Sequence, residues 1–586
     1  MMRDMTCGDM RKEHIGKEIT ISGWVHSIRD HGGITFIDLR DKYGLTQAVL
    51  ADKENIKKGD DIGREYVVKM HGTVRERDES TYNPKIPTGE VELLCSHFEI
   101  LSKSRAVPFE ISDSNVLNDD VRMKYRFLDL RRKLMQDNLS IRHKANMSAR
   151  NALSSKGFVE FETPYLVRST PEGARDFIVP SRINPGKCYA LPQSPQIYKQ
   201  ILMASGSDRY FQFARCFRDE DLRADRQPEH TQLDVEMSFA EPDDVMSLVE
   251  DTLSTVAKEA FGKSIPKIFR RIPYEEAISK YGTDKPDLRY GLEISDVTGI
   301  VKDSSFSVFK DVIEGGGRVK LLNPEIKLSR AELDEYISYV QSLGGKGMAW
   351  MIRGDKLESN IVKYFPEDVQ SSLMENSKEG TLMFIADKED NALEIAGELR
   401  KKIAHDKEMY DTSSLEFCWV DRFPMFSWND DNDRWDPEHH MFTMPTEDTM
   451  KFLYNDDYDP GKVYAESYDL VLNGVELASG SRRICDTNLQ KKIMKIVGYS
   501  DDEIKERFGF MMDIFDYGAP PHSGIGIGFD RLITIMLGYD DIREVIPFPK
   551  NKSAESLLDR SPTDIREKQM KELKLKLDFV KRKEDN

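Results

Sequence analysis

The chain has 586 residues, too many for a single hydrophobic core, and length alone indicates about three or four domains. Its composition excludes several classes: there is no run of about 18 uncharged apolar residues to span a membrane, and no apolar stretch in the charged first segment to act as a signal peptide. The six scattered cysteines, Cys7, Cys95, Cys188, Cys216, Cys418 and Cys485, form no close pair for a disulfide framework or a zinc site, which fits a reducing cytoplasm. The net charge of −18 disfavours nucleic acid as a partner of the whole surface, but it is a weak guide when only part of a large chain makes contact. Locally basic stretches occur at Arg122, Lys124, Arg126, Arg131, Arg132 and Lys133 and in the tail 571–583; each alone reads as a solvated face.

In chain order, residues 18–28, 34–39, 45–50, 66–74 and 90–101 read as five short strands with turns at Gly32-Gly33 and Tyr43-Gly44, the pattern of a small barrel. In the second strand, alternation separates Thr35, Ile37 and Leu39 from Ile34, Phe36, Asp38 and Arg40. Phe36 thus shares a face with charged residues. It reads equally as a partly covered aromatic or as a stacking platform for an unpaired base. A basic linker over 105–135 leads to a long helix over 134–156, stopped by Gly157. A short strand follows at 158–161. Residues 210–218 and 232–239 read as paired strands joined by a polar loop, 219–230. About 285 residues then separate this pair from a glycine-rich segment at 524–528, more than neighbours in one sheet need. The intervening 286–415, with turns at Gly315-Gly316-Gly317 and Gly344-Gly345, reads as an inserted domain. A charged amphipathic helix is expected over 562–583.

Three segments carry chemistry. Along 232–239, Leu233, Val235, Met237 and Phe239 alternate with Gln232, Asp234, Glu236 and Ser238. An exposed edge strand gives the same pattern. However, Arg218-Asp219-Glu220 and the loop residues Arg223, Asp225, Arg226, Gln227 and His230 suggest a site for a charged ligand. The second segment, 467–483, is a hairpin turning at Asn473-Gly474, the dipeptide of a type I′ turn. Pairing around it sets Val471 opposite Glu476 and leaves Asp469 diagonal to Glu476, at roughly 7–8 Å. Two carboxylates so spaced suit Mg²⁺ holding phosphate oxygens, although either one alone reads as an ordinary exposed charge. Strict parity puts Arg483 on the opposite face; a bulge at Gly480 would return it. The third, Gly524-Ile525-Gly526-Ile527-Gly528-Phe529-Asp530-Arg531-Leu532, is neither a dinucleotide fingerprint nor a P-loop. Its glycines permit close approach, and Arg531 at the strand-to-helix junction suits a phosphate or a stacked ring.

Taken together and in this order, these segments resemble the signature motifs of the class II aminoacyl-tRNA synthetases. Gly157–Pro164 resembles motif 1, which in the family builds the dimer interface. Phe217-Arg218-Asp219-Glu220 through the strand to Phe239 resembles motif 2, and Gly524–Arg531 resembles motif 3. Ser169-Thr170-Pro171-Glu172-Gly173-Ala174-Arg175-Asp176-Phe177, Gln193-Ser194-Pro195-Gln196-Ile197-Tyr198-Lys199-Gln200 and Tyr281-Gly282-Thr283-Asp284-Lys285-Pro286-Asp287-Leu288-Arg289 narrow the resemblance to the bacterial-type aspartyl-tRNA synthetases of subclass b, over residues 15–565. Glu13-His14-Ile15-Gly16-Lys17 echoes a class I signature, but no partner motif follows, and we take it as chance.

The resemblance implies an α+β multidomain chain: an OB-fold barrel for the anticodon (1–105), a hinge (106–140), an antiparallel-sheet catalytic domain (141–285 and 416–561) interrupted by an inserted α+β domain (286–415), and a C-terminal helix (562–586). It implies ATP-dependent ligation of L-aspartate to tRNA through an aspartyl-adenylate, by a cytoplasmic homodimer, with no membrane or DNA partner. Arg218, Glu476 and Arg531 would be catalytic. Arg218, Asp219, Glu220, Gln227, Glu476, Gly528, Phe529, Asp530 and Arg531 would bind ATP, with Mg²⁺ on Asp469 and Glu476. Glu172, Ser194, Gln196, Lys199, Arg218, Asp234, His439, His440 and Arg483 would bind aspartate. Lys199 and Arg483 would face its side chain as two buried charges that reject asparagine, a kind of discrimination that reaches about 10⁴–10⁵-fold. Arg29, His31, Phe36 and Gln47 would read the anticodon, with His31 as the residue that accompanies acceptance of both aspartate and asparagine tRNAs. The alternatives are a strictly aspartate-tRNA-specific ligase, an asparaginyl or lysyl enzyme of the same subclass, and a catalytically inactive tRNA-binding relative.

Overall fold

Period-two alternation of apolar residues makes the N-terminal strands half-buried, and such strands are stable once their edges are closed. In the computed structural model, which describes residues 2–31, 33–52, 61–114, 117–170, 173–220, 225–430, 432–454 and 458–576, Glu18–Asp30, Thr35–Arg40, Leu45–Leu50, Val67–Glu76 and Val91–Ser102 form a closed barrel. The strand order is first, second, third, fifth, fourth. Ile21, Val25, Ile37, Leu39, Val68, Met70 and Leu93 fill it. The second strand splits as its alternation predicts: Thr35, Ile37 and Leu39 point inward and Phe36 is only partly covered. Of the expected Gly32-Gly33 turn, Gly32 lies outside the described residues.

In the basic run at 122–133, Lys124 and Lys133 are exposed as expected, but the arginines are not a solvated face. Short helices at Asp119–Lys124 and Arg126–Asp129 bury Asp129, and three arginines converge on it. Arg126 approaches at 2.6 Å, Arg132 at 3.1 Å and Arg122 at 3.3 Å. Arg131 instead pairs with Glu65 and lies over Trp24. The arginines here serve internal ion pairs, because a fully buried carboxylate needs several donors.

The chain divides into two compact units, Met1–Leu139 with Leu557–Asp559, and Ser140–Ser556 with Arg560–Asn586. The second unit is built on an eight-stranded sheet. Its order is Arg270–Pro273, Phe417–Asp421, Ser467–Leu472, Val475–Arg482, His522–Gly528, Glu229–Ser238, Arg209–Phe217 and Val159–Glu160. One face packs Phe211, Leu233, Val235, Leu470, Ile525 and Ile527 against the helices Lys133–Ser155, Pro242–Phe261 and Phe529–Leu537. The long helix ends before Gly157, whose φ of 83° is the left-handed conformation of a helix stop.

Glu229–Ser238 is a central strand hydrogen-bonded on both sides and not an exposed edge, and Asp234 and Glu236 on its polar face are buried. A second sheet in the same unit is all antiparallel. Its order is Ser295–Asp296, Arg318–Leu322, Gly380–Asp387, Ala349–Arg353 and Leu357–Glu358, with an apolar core on each face. The expected C-terminal helix is shorter among the described residues: Glu567–Leu573, stopped at Lys574 with φ 56°. Residues 577–583 of that expectation lie outside the described residues.

Candidate active site

The acidic hairpin and the glycine-rich strand lie side by side, flanking the polar face of Glu229–Ser238. The hairpin turns at Asn473 and Gly474, with φ 52° and 78°, the two positive values a type I′ turn requires. Val471 pairs with Glu476 as predicted. The bulge, however, is at Leu477 and not at Gly480: Leu470 pairs with Ala478 and Val471 with Glu476, leaving Leu477 unopposed. Gly480 keeps regular pairing, and its lack of a side chain serves packing, since a β-carbon there would stand 2.6 Å from the Tyr468 ring. The extra residue returns Arg483 to the face of Asp469 and Glu476.

Four side chains on this face form a closed ionic array. Lys199 Nζ lies 3.0 Å from Asp234 Oδ1 and 3.3 Å from Glu236 Oε2. Arg483 donates through Nε to Glu236 Oε1 at 2.9 Å, and through one terminal nitrogen to His440 Nε2 at 2.7 Å and Ser481 Oγ at 2.6 Å. Lys199, Asp234, Glu236 and Arg483 are each at most 3% exposed. Burial pushes the Glu236 carboxyl upward, but Arg483 and Lys199 overcome this and bring it to about 2. Burial holds Asp234 above the usual carboxylate range despite Lys199. His440 is kept neutral by burial and by Arg483.

The expectation that a neutral asparagine amide would leave these two cations uncompensated is therefore corrected: Asp234 and Glu236 already neutralise Lys199 and Arg483. Glu236, which holds both cations, is the residue missing from the expected site. Its signal was present in the alternation of Gln232, Asp234, Glu236 and Ser238. The buried polar atoms that make no hydrogen bond within the described protein include Asp234 Oδ2, Gln196 Nε2 and Arg218 Nε. Such atoms are costly unless a ligand or water completes them.

The glycines of 524–528 make room for this array. A β-carbon on Gly524 would stand 1.9 Å from Glu236 Oε2, and one on Gly526 would stand 2.8 Å from Gln232 Nε2. The third glycine, Gly528, lines the adjoining cleft together with Arg218, Glu220, Glu476 and Arg531. Arg531 donates to the Glu476 carbonyl at 2.5 Å and pairs with Asp225 at 3.0 Å. His230 also lines this cleft, and burial with Arg218, Arg215 and Arg531 holds it down to about 3.

Some expected nucleotide contacts are placed otherwise. Phe529 is in the core beneath the sheet, its ring edge-on to Phe213. Asp530 lines the cleft but is buried, accepting from the Thr231 amide at 2.7 Å and pairing with Arg142 at 2.5 Å. Gln227 lines the cleft, but its amide is engaged twice with the backbone of Lys550. Asp219 is exposed and bridges Arg175 through its backbone. Ser194 accepts from the Gln196 amide at 3.2 Å. Gln193 fastens the loop at Ala174 and Asp176. Glu172 lies outside the described residues.

Asp469 is buried, and its Oδ1 has no hydrogen-bond donor; His439 Nε2 is 3.6 Å away. Burial and the neighbouring Glu476 push its carboxyl well above the ordinary range. Among the described residues no group of three or more His, Cys, Asp or Glu is gathered as a metal cage. Two carboxylates, one with an unsatisfied oxygen, nonetheless fit Mg²⁺, which commonly takes one or two carboxylates and completes its shell with substrate phosphates and water.

In the barrel, Arg29 lies opposite Phe36 and donates to Asp38 at 2.9 Å and to Gln47 at 3.1 Å. Gln47 is buried and donates to Glu92. The His31 ring meets Phe36 edge-on at 5.8 Å.

A family model described as OB-fold nucleic acid binding domain matches residues 19–101. The aspartate–tRNA(Asp/Asn) ligase of Thermodesulfovibrio yellowstonii is 47% identical over 99% of this chain and 100% of its own length. That of Aquifex aeolicus is 45% identical over 98% of each. Among solved structures, asparaginyl-tRNA synthetase from Pyrococcus horikoshii, complexed with asparaginyl-adenylate, superposes with a TM-score of 0.59 at 18% identity, covering 94% of this chain and 98% of that one, a likeness of fold alone. The catalytic sheet, its buried ionic array and the flanking cleft all lie within residues 118–552, which the model of the class II tRNA synthetases (D, K and N) matches, and the chain belongs to that family.

Proposed function

We propose that this chain is an aspartate–tRNA ligase that activates L-aspartate with ATP and charges both aspartate and asparagine tRNAs. The observation that carries this reading is the buried array of Lys199, Asp234, Glu236 and Arg483, with the unsatisfied atoms of Asp234, Gln196 and Arg218, beside an arginine-lined cleft. Asp234 Oδ2 accepts the substrate ammonium, with Glu172 as a second acceptor. Lys199, Arg483 and Gln196 Nε2 offer only N–H groups to its side-chain carboxylate, which takes from Arg483 the donor now given to His440. An asparagine amide would turn its own N–H groups toward those donors, so geometry replaces net charge as the basis of rejection.

Arg218 holds the α-phosphate and the attacking α-carboxylate, using the fork that lysine lacks. The carboxylate oxygen bonds to the α-phosphorus as the bond to the β-phosphate oxygen breaks, and pyrophosphate leaves. Arg531 meets the nucleotide from the other wall. Asp469 and Glu476 would hold Mg²⁺, which would neutralise charge on the phosphates. Gln227, Asp530 and Phe529 act by shaping this wall. In the transfer step the terminal adenosine's 3′-hydroxyl attacks the adenylate carbonyl, and the leaving phosphate oxygen accepts its proton.

The barrel reads the anticodon, with Phe36 as the stacking surface and Arg29 and Gln47 at its edge. We also propose a homodimer through the Gly157–Pro164 segment, a cytoplasmic location, and the division into domains at 1–105, 106–140, 141–285 with 416–561, 286–415 and 562–586. Among the described residues no helix is long and apolar enough to cross a membrane. Acceptance of both tRNAs is favoured by the names of the relatives and by the contact of His31 with Phe36.

The test offers labelled aspartate, ATP and Mg²⁺ to each pure tRNA transcript. Comparable charging of both is expected; charging of aspartate tRNA alone would make the enzyme discriminating; charging of neither by folded protein would sink the reading. Arg218→Ala is expected to abolish pyrophosphate exchange.

A further inference from the structure

The segment Tyr281–Arg289 leads into the inserted sheet, yet its middle turns back to the catalytic hairpin. Lys285 Nζ lies 3.1 Å from Asp284 Oδ2 and 3.7 Å from Glu476 Oε2. The hairpin turn is seated on the same segment: a β-carbon on Gly474 would stand 3.0 Å from the Asp287 β-carbon.

What fixes the segment comes from the inserted domain. Arg400, on helix Glu389–Asp406 and 1% exposed, donates to the carbonyls of Asp287, Tyr290, Gly291 and Leu292 at 2.7–3.1 Å. Arg289 clamps the Asp287 carboxylate with two nitrogens and lies over the Tyr410 ring at 4.1 Å. A guanidinium holding four carbonyls leaves the backbone little freedom. The reach of Lys285 is thus set by the inserted sheet.

We propose that Lys285 is a positioning residue: an internal counter-cation of the Asp469–Glu476 carboxylates, held there by the inserted domain, which gives way to the divalent cation that arrives with ATP. The inference rests on the reading of that pair as the Mg²⁺ holders. The physical need is plain. Two carboxylates share one hairpin face, and one oxygen of the buried Asp469 has no hydrogen-bond donor, so a positive charge nearby stabilises both before nucleotide arrives. Lysine suits the task because its ammonium is a compact charge on a flexible stem, and Lys285 is 41% exposed, with room to swing away. An ammonium in this place competes with a bare divalent ion and reserves the site for the metal–nucleotide complex.

The test is Mn²⁺ binding to the full-length protein without nucleotide, read from the paramagnetic resonance of free Mn²⁺. Lys285→Met is expected to bind about fivefold tighter than the unmodified protein, the scale of one half-exposed ion pair, and Lys285→Arg to restore weak binding. Glu476→Gln is expected to lose the binding. Unchanged or weaker binding in Lys285→Met, with dependence on Glu476 intact, would overturn the role of Lys285 alone. Binding that survives Glu476→Gln would overturn the metal reading, and the proposal with it. Neither result touches the ligase reading, which tRNA charging decides separately.

Discussion

Glu236 holds two cations out of water with a single carboxylate. Glu236→Gln keeps the shape and removes the charge, leaving Lys199 and Arg483 buried against a neutral amide. Removing one partner of a buried ion pair costs about 3–5 kcal/mol, so a lower denaturation midpoint and a large rise in KM for aspartate are expected. An unchanged midpoint would mean that Asp234 alone balances the array. Nothing in the sequence ranked Glu236 above its neighbours, because alternation fixes a face but not which members of it meet. His230 raises a question of sign. Its folded value of about 3 lies below the unfolded 6.5, so the unfolded chain binds more protons between them. The stability it contributes is complete above pH 6.5 and is lost as pH falls toward 3. His230→Phe keeps a ring in place without a titrating nitrogen. Denaturant midpoints measured from pH 7.5 to 5 should fall less steeply for this variant than for the parent; parallel slopes would contradict the assignment.

At the scale of elements, the glycine-rich strand is a spacer for the acidic strand. Gly524→Ala would drive a methyl into Glu236 Oε2, against backbone that cannot retreat, and is expected to abolish aspartate activation. Gly526→Ala meets the end of Gln232 at 2.8 Å and Asp234 Oδ1 at 3.3 Å, looser contacts with side chains alone, and should cost less. Equal exchange rates for the two variants would refute the spacer role. The hairpin shows how much an element reveals in advance. Asn473-Gly474 fixed the turn and hence the Val471–Glu476 register, because turn type is a local property. The need for a bulge followed from parity, but its place did not: Gly480 attracts attention as a glycine, whereas Leu477 bulges because the neighbouring strands pair regularly from Ala478 onward. The basic run at 122–133 misled for a related reason, since the charge of a sequence does not tell whether a carboxylate waits inside.

For the whole molecule, the proposed function assigns recognition and chemistry to different parts of the chain. Phe36→Ala is expected to raise KM for tRNA about tenfold or more, since base–aromatic stacking contributes roughly 1–3 kcal/mol, and to leave pyrophosphate exchange intact. Equal loss in both assays would make Phe36 a core residue of the barrel. The order of barrel, main sheet and the five-stranded sheet between its strands was legible because strand alternation, glycine turns and the long gap between motifs are properties of the string. The partnership of Lys285 with Glu476 was not, since it joins residues 191 positions apart through a backbone that Arg400 holds from elsewhere.

The unopposed Leu477 has a consequence for how this chain can vary. From that residue to Arg483 every side chain keeps its face only by count, so one residue lost or gained there would exchange the whole stretch between the interior and the catalytic side. None of these positions is exposed. The segment should therefore reject changes of length as firmly as changes of letter at Gly480 or Arg483, unlike an ordinary surface loop.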